Sequence, residues 1–97
     1  MQIKFLREAR ADLRWFKRYY TQVFPAGQAK ADQQYRTLLI LLKSQPRIGH
    51  EVEDLPNVFE YVLPGIPFTV LYRITEDAVE ILRLYDQRGE FSNDRKA

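Results

Sequence analysis

The stretch that decides the fold is residues 58–85, VFEYVLPGIPFTVLYRITEDAVEILRLY. It holds three segments rich in aromatic and β-branched residues, the residue types that strands favour. The three segments are residues 58–63, 68–74 and 78–85. Residues 64–67 and 75–77 separate them and are short enough for hairpin loops, so we predict a three-stranded antiparallel meander.

Two helices are predicted before the meander. In residues 7–24 the apolar side chains recur at the spacing of one helix face. They are Ala9, Leu13, Phe16, Tyr20 and Val23. Residues 28–43 form the second helix, and residues 38–42 make its C-terminal end apolar nearly all round. We expect something to cover part of that surface.

A short strand is predicted at the start of the chain, because Ile3 and Phe5 alternate with Gln2 and Lys4 within residues 2–6. The order β-α-α-β-β-β indicates an α+β fold, in which a helical hairpin packs on one face of a small, mainly antiparallel sheet whose other face stays open. Residues 44–57 are expected to form a long loop. Six residues are predicted to share the core: Leu13, Phe16, Tyr35, Leu39, Tyr72 and Leu82.

The length and composition indicate one globular domain. The chain has 97 residues, of which 45% are apolar and 29% charged. We assign residues 1–91 to the domain and residues 92–97 to a polar tail.

The sequence has no run of about 18 apolar residues and no signal-peptide pattern, so we expect a protein that neither spans a membrane nor is secreted. The chain has no cysteine, which excludes disulfides and is typical of the cytoplasm.

The charge differs sharply between the two halves of the chain. Residues 1–47 hold ten Lys and Arg against three Asp and Glu, a net +7, whereas residues 48–97 hold five against ten, a net −5. Such a division favours a partner that recognises one of the two surfaces. The alternative is two faces that are simply solvated.

The sequence offers few groups for catalysis or metal binding. His50 is the only histidine and lies in the predicted loop, without an oriented partner. The acids Glu51, Glu53 and Asp54 match no calcium-loop spacing, and the four glycines form no phosphate-binding run. We therefore expect no metal, no nucleotide and no other cofactor.

The meander and the residues after it carry arginines beside aromatic residues. The set is Arg73, Arg83, Tyr85, Arg88 and Phe91. This combination is common on surfaces that recognise phosphates, carboxylates or other proteins. The alternative for Arg73 and Arg83 is ion pairing with acids of the sheet such as Glu60 or Glu80.

Trp15 and Tyr19 lie one turn apart on the first helix, beside its main apolar stripe. An aromatic pair at this spacing widens the face that packs in the core. The alternative is an exposed patch that binds a partner.

A series of short motifs is spread along the chain. They are A-x-x-D-L at residues 9–13, Tyr19-Tyr20, S-Q-P-R-I-G at 44–49, L-P-N at 55–57, P-G-I-P-F at 64–68, L-Y-R-I at 71–74, V-E-I-L-R at 79–83 and Gln87-Arg88. In this order and spacing, over residues 2–91, the chain resembles the RelE/ParE superfamily of type II toxin–antitoxin toxins. The resemblance implies the same α+β fold and an antitoxin as partner.

The superfamily has two main activities: ribosome-dependent mRNA cleavage in the RelE-like branch and poisoning of DNA gyrase in the ParE-like branch. RNA-cleaving members carry basic side chains on the second and third strands and a histidine or tyrosine near the end of the fourth. The matching positions here hold Glu60, Val62, Thr69 and Asp86. The resemblance therefore favours a non-catalytic, ParE-like toxin that binds gyrase.

Two alternatives stay open. One is a RelE-like endoribonuclease, in which Arg88 and Arg83 would be the catalytic residues. The other is a module that binds an antitoxin without being toxic. A sheet-bearing half of net charge −5 would repel phosphates, so no specific nucleic-acid binding by the toxin alone is expected.

The resemblance and the residue pattern together assign two candidate surfaces. The target-binding residues are Arg73, Arg83, Tyr85, Arg88 and Phe91. The antitoxin-binding residues are Trp15, Tyr19, Leu38, Ile40 and Leu41. Neither surface involves a membrane.

Overall fold

Within residues 1–86, which the computed structural model describes, the chain forms five strands and two α-helices. The strands are β1 (Gln2–Phe5), β2 (His50–Glu51), β3 (Val58–Val62), β4 (Phe68–Ile74) and β5 (Ala78–Asp86). The α-helices are α1 (Arg7–Arg18) and α2 (Gln28–Ser44). Short helical turns occupy Tyr19–Val23, Pro25–Gly27 and Pro46–Ile48. The tail assigned to residues 92–97 lies outside the described residues.

The strands form one mixed sheet in the order β1-β5-β4-β3-β2. β3, β4 and β5 are the predicted antiparallel meander, and β1 pairs with β5 in parallel, with Gln2 opposite Ala78. The α+β class and the helical hairpin are confirmed.

The prediction that residues 44–57 form a long loop is wrong, because this segment contains a 3₁₀ turn and β2. Two residues are too few to show the alternation that predicts a strand.

The first helix changes its geometry after Arg18. The N–H of Phe24 donates to the carbonyl of Tyr19, five residues back, at 2.9 Å, so Tyr19–Val23 is a π-helical turn. Each helical residue rotates the chain by about 100°, and the wider turn therefore moves the following side chains off the buried stripe. Tyr20 is buried, but Val23 is 58% exposed. The prediction that Val23 belongs to the buried face is wrong for this reason.

The core lies between the helices and one face of the sheet. Its fully or almost fully buried apolar members among residues 1–86 include Ala9, Phe16, Ala31, Leu42, Leu63, Phe68, Val70, Tyr72, Val79 and Ile81. Phe16 and Tyr72 are thus in the core as predicted, while Leu13 and Tyr35 are half-buried and pack against it. Leu82 is half-buried because the β4–β5 register shifts beside it: Leu71 pairs with Arg83 and Tyr72 with Ile81, which leaves Leu82 as an extra residue.

The apolar end of α2 divides into a buried and an exposed part. Leu38 and Leu42, four residues apart, are 3% and 0% exposed, whereas Ile40 is 67% exposed. Leu39 and Leu41 on either side are half-buried. The prediction that Leu38 contacts an antitoxin is corrected, because its side chain fills the core and offers no surface. Leu39, which the sequence predicts in the core, is only half-buried.

Phe68, the first residue of β4, holds α1 against the sheet. Its ring meets those of Phe16, Tyr20, Trp15 and Tyr19 at centroid distances of 4.9, 5.8, 5.8 and 6.0 Å. Edge-to-face and tilted contacts of this kind stabilise a core beyond the burial of area alone. The end of α1 and the π turn are therefore fixed to the sheet by aromatic packing.

Tyr72 attaches the segment before β2 to the sheet. Its hydroxyl donates to the carbonyl of Pro46 at 2.7 Å and accepts from the N–H of Gly49 at 2.9 Å. A Cβ at Gly49 would lie 2.6 Å from this hydroxyl and 2.7 Å from the carbonyl oxygen of Glu60, so only glycine fits there. Burial raises the pKa of Tyr72, and the hydrogen bond from Gly49 partly opposes the shift.

Candidate functional site

Asp12 covers the part of β5 that β1 leaves unpaired. Pairing along this edge ends where the N–H of Leu6 donates to the carbonyl of Ile81 at 3.1 Å. Beyond that point the Asp12 carboxylate, which is 0% exposed, accepts from the N–H of Leu84 at 2.9 Å. Arg83 donates to the same carboxylate through Nε at 2.7 Å and Nη2 at 3.0 Å. The result is a fork-shaped ion pair that joins α1 to β5.

This pair was not predicted. The sequence assigned Arg83 to target recognition or to an acid of the sheet, and the ion-pair partner in the structure is instead Asp12 of α1, 71 residues away. The available signal was the position of Asp12, which falls on the buried stripe of α1 between Ala9 and Phe16. An acid on such a stripe needs a cationic or N–H partner.

On the sheet face that points away from the helices, side chains of residues 1–86 form an ion pair and a hydrogen bond. Arg73 and Glu80, opposite each other on β4 and β5, form an ion pair with Nη2–Oε1 at 2.6 Å. The ion-pairing alternative is thereby confirmed for Arg73. The hydroxyl of Tyr85 donates to Oε2 of Glu60 at 2.9 Å, across the intervening β4. Thr69, opposite Tyr85, is only 4% exposed.

Three of the five predicted target-binding residues are therefore described, and each is held by a contact within the chain. Arg83 contacts Asp12, Arg73 contacts Glu80, and Tyr85 contacts Glu60. Their side chains are ordered by these bonds and remain partly exposed. The other two predicted members, Arg88 and Phe91, lie outside the described residues.

The four positions at which RNA-cleaving relatives carry catalytic groups offer no accessible acid–base pair in this structure. Thr69 and Asp86 are 4% and 2% exposed, and Val62 is exposed but apolar. Glu60 is half-buried and its carboxylate is bonded to Tyr85. General acid–base catalysis needs a titratable group within reach of the substrate proton, and these positions do not provide one.

Residues 51–56 line a shallow concavity of about 450 Å³ with three acidic side chains. Among residues 1–86 no group of three His, Asp or Glu side chains is close enough to hold a metal ion. His50 lies in β2, with an exposed side chain. No described helix is long and apolar enough to cross a membrane.

Two adjoining concavities flank the π turn and share Tyr19; we name them together the aromatic groove. The first, about 290 Å³, is lined by Trp15, Arg18, Tyr19, Gln22 and Val23. The second, about 350 Å³, is lined by Tyr19, Tyr20, Phe24, Ala26, Gly27, Lys30, Gly65, Ile66 and Pro67. The groove lies where the helical hairpin meets the β3–β4 turn.

Trp15 and Tyr19 pack against the core, which is the first of the two alternatives that the sequence left open. Their rings stack at 5.5 Å with an angle of 19° and both contact Phe68, which places them against the core. The same two residues line the aromatic groove. Ile40 and Leu41, the other antitoxin-binding candidates at the surface, do not line it, because α2 contributes only its early residue Lys30.

A family model described as the ParE toxin of the type II toxin–antitoxin system parDE matches residues 3–91 of the chain. The match spans the helical hairpin, all of the sheet except Gln2, and the predicted target-binding residues. Among curated protein sequences, none matches the chain significantly.

Solved structures of toxins have the same fold. A chain of the chromosomal ParDE toxin–antitoxin system from P. aeruginosa is 27% identical with a TM-score of 0.64, over 87% of this chain and 92% of that one. The isolated E. coli RelE toxin is 15% identical, with a TM-score of 0.60, over 86% of this chain and 80% of that one. A chain of the intact E. coli RelBE toxin–antitoxin complex is 17% identical, with a TM-score of 0.60, over 86% and 92%.

Proposed function

Because the chain belongs to the ParE toxin family of type II toxin–antitoxin systems, we propose that it inhibits growth by binding and poisoning DNA gyrase. A cognate antitoxin neutralises it by covering part of its surface. Both steps take place in the cytoplasm, and neither requires a cofactor. The toxin acts by occupying its target and performs no chemistry on it.

The observation that carries this proposal is the state of the four positions where RNA-cleaving relatives hold catalytic groups. Thr69 and Asp86 are almost fully buried, Val62 is apolar, and Glu60 is engaged by Tyr85. A nuclease would need a base for the 2′-hydroxyl and a cation for the phosphorane at this place. These four positions supply neither group, which favours binding of a protein over cleavage of RNA.

We assign target binding to the end of β5 and the residues after it: Arg73, Arg83, Tyr85, Arg88 and Phe91. Arginine and tyrosine are enriched among the residues that dominate binding energy at protein interfaces. Arg83 and Tyr85 are already held by Asp12 and Glu60, so less side-chain entropy is lost when a target binds. Antitoxin binding is assigned to Trp15, Tyr19, Ile40 and Leu41.

Induced expression of the chain tests the proposal in cells. The expected result is growth arrest with induction of a DNA-damage reporter, while total mRNA stays intact by northern blotting. Co-expression of the protein encoded beside the gene should restore growth. Fragmented mRNA without DNA damage would support the nuclease instead, and binding of the neighbouring protein without growth arrest would indicate a non-toxic module.

A further inference from the structure

The outer side of α1 carries a stripe of exposed cations, which we name the basic face. Its members are Arg7, Arg10, Arg14, Lys17 and Arg18, all of them exposed. At about 100° of rotation per residue, they fall within about 100° of the helix circumference. The buried residues Ala9, Asp12 and Phe16 lie on the opposite side of the same helix, so the basic face points away from the core.

The basic face forms no ion pair with an acid of residues 1–86. Of the two acids on α1, Asp12 is buried and paired with Arg83, and Glu8 is rotated by about 100° from Arg7. The acids of residues 51–54 adjoin β2, at the far edge of the sheet from β5, on which α1 packs. A polyanion on the basic face would therefore meet the cations of α1 and stay clear of those acids.

The cations of the basic face are close neighbours of one another. Arg14 has Arg10 and Arg18 four residues away and Lys17 three residues away, the spacings at which side chains of a helix meet. Like charges at these spacings destabilise a helix. A bound polyanion relieves this repulsion, so the arrangement favours a partner over a face that is only solvated.

The basic face matches a double helix in length and in charge density. Residues 7–18 span about 16 Å along the axis of α1, at about 1.5 Å per residue. Over that length a DNA duplex carries roughly ten phosphate charges, one per about 1.7 Å of its axis. An extended acidic peptide carries at most one charge per about 3.3 Å. The phosphate backbone of a duplex is thus the denser counter-charge for five aligned cations.

We propose that the basic face binds the phosphate backbone of duplex DNA. Phosphate contacts carry no base information, so the contact is independent of sequence and agrees with the expectation that the chain alone recognises no specific site. The inference rests on the proposed function only in naming DNA, the duplex on which gyrase acts, as the source of the phosphates. DNA binding by the basic face keeps the toxin close to that target.

The test measures binding of the purified chain to a short labelled duplex DNA by fluorescence anisotropy, from about 50 to 200 mM salt. The basic-face variant is Arg7→Gln/Arg14→Gln, which removes two charges. Arg10 and Lys17 are left in place because the first also donates to a backbone carbonyl and the second lies over a tyrosine ring.

The matched control is Lys4→Gln/Arg47→Gln, which lowers the net charge equally. Lys4 lies on β1 and Arg47 in the turn before β2, and both are exposed outside the basic face. Circular dichroism checks that both variants are folded. A duplex RNA of the same length and poly-L-glutamate serve as competing polyanions.

Each phosphate contact contributes about 0.9 to the slope of log affinity against log salt. Five contacts predict a slope of about −4.5, and loss of two predicts about −2.7. The basic-face variant should lose at least about tenfold in affinity at about 50 mM salt, while the control stays within about threefold of the unmodified chain. Poly-L-glutamate should compete at least about tenfold less well than DNA, because its charge density is lower.

Equal losses in the two variants, or an unchanged salt slope in Arg7→Gln/Arg14→Gln, would overturn the inference. Stronger competition by duplex RNA would assign the basic face to RNA, and equal competition by poly-L-glutamate would assign it to an acidic protein; either result also overturns it. The binding measurement contains no gyrase, and gyrase inhibition is assayed separately. Failure of the basic face and failure of the gyrase proposal therefore give different results.

Discussion

Asp12 of α1 and Arg83 of β5 are joined by two hydrogen bonds, and the same carboxylate accepts a third from the N–H of Leu84. The contact replaces strand pairing along the part of β5 that β1 does not reach. An open strand edge invites pairing with another chain. Asp12 therefore closes this edge and, through Arg83, fixes the end of β5 from which the proposed target surface extends.

Asp12→Asn should lower the free energy of unfolding by about 3 to 5 kcal/mol, because it leaves Arg83 without its buried counter-charge. Chemical denaturation gives the value. Glu80→Gln is the control: it breaks the exposed Arg73–Glu80 pair, in which Arg73 is 44% exposed, and should cost less than about 1 kcal/mol. Equal losses would show that Asp12 does not hold the edge.

Tyr72→Phe should cost about 1 to 3 kcal/mol, because the N–H of Gly49 and the carbonyl of Pro46 both lose their partner. Tyr61→Phe is the matched control, since Tyr61 is half-buried and its hydroxyl has no hydrogen-bond partner among residues 1–86. It should cost less than about 0.5 kcal/mol. If Tyr72→Phe were equally neutral in urea unfolding, the hydroxyl would not be holding the segment before β2.

The same residue predicts how stability depends on alkaline pH. Burial raises the pKa of Tyr72 and of Tyr35 above the ordinary value of 10.0. The folded state therefore keeps these protons more tightly than the unfolded state, and the stability gained is complete below pH 10 and lost as pH rises through the folded pKa. Unfolding titrations should show this decline, and Tyr72→Phe should reduce it. A stability that rises above pH 10 would contradict the burial.

The two faces of α2 give a fourth prediction. Leu42→Ala should cost about 2 to 5 kcal/mol, because Leu42 is fully buried. Ile40→Ala should cost less than about 0.5 kcal/mol, since Ile40 is 67% exposed. Thermal unfolding separates the two, and a reversed order would mean that the helix is rotated relative to the structure.

The meander is predictable because its three strands are marked by local runs of aromatic and β-branched residues. Residues 68–74 were predicted as a strand and β4 spans Phe68–Ile74, while β3 and β5 each differ from the prediction by one residue. The two residues of β2 carry too short a pattern to be recognised. The π turn depends on how Tyr19 and Tyr20 pack around Phe68, which is a tertiary effect that helical periodicity alone does not contain.

The candidate site was less predictable than the fold. Residue types indicate that Arg73 and Arg83 lie at the surface or pair with acids of the sheet, and Glu80, which pairs with Arg73, is one of those acids. The partner of Arg83 is 71 residues distant in sequence, and no spacing rule links them. The sequence predicts only part of the aromatic groove. Trp15 and Tyr19 stand out as an aromatic pair, but the turn at Gly65 that completes the groove comes from another part of the chain.

The central claim is that the chain inhibits gyrase by binding and does not cleave RNA. The most direct measurement incubates the purified chain in parallel with gyrase and plasmid DNA and with ribosomes on a defined mRNA. We predict loss of supercoiling with accumulation of cleaved DNA, an intact mRNA, and weaker inhibition by Arg88→Ala, whose position lies outside the described residues. Site-specific mRNA cuts that vanish in Arg88→Ala, together with unaffected gyrase, would contradict the account.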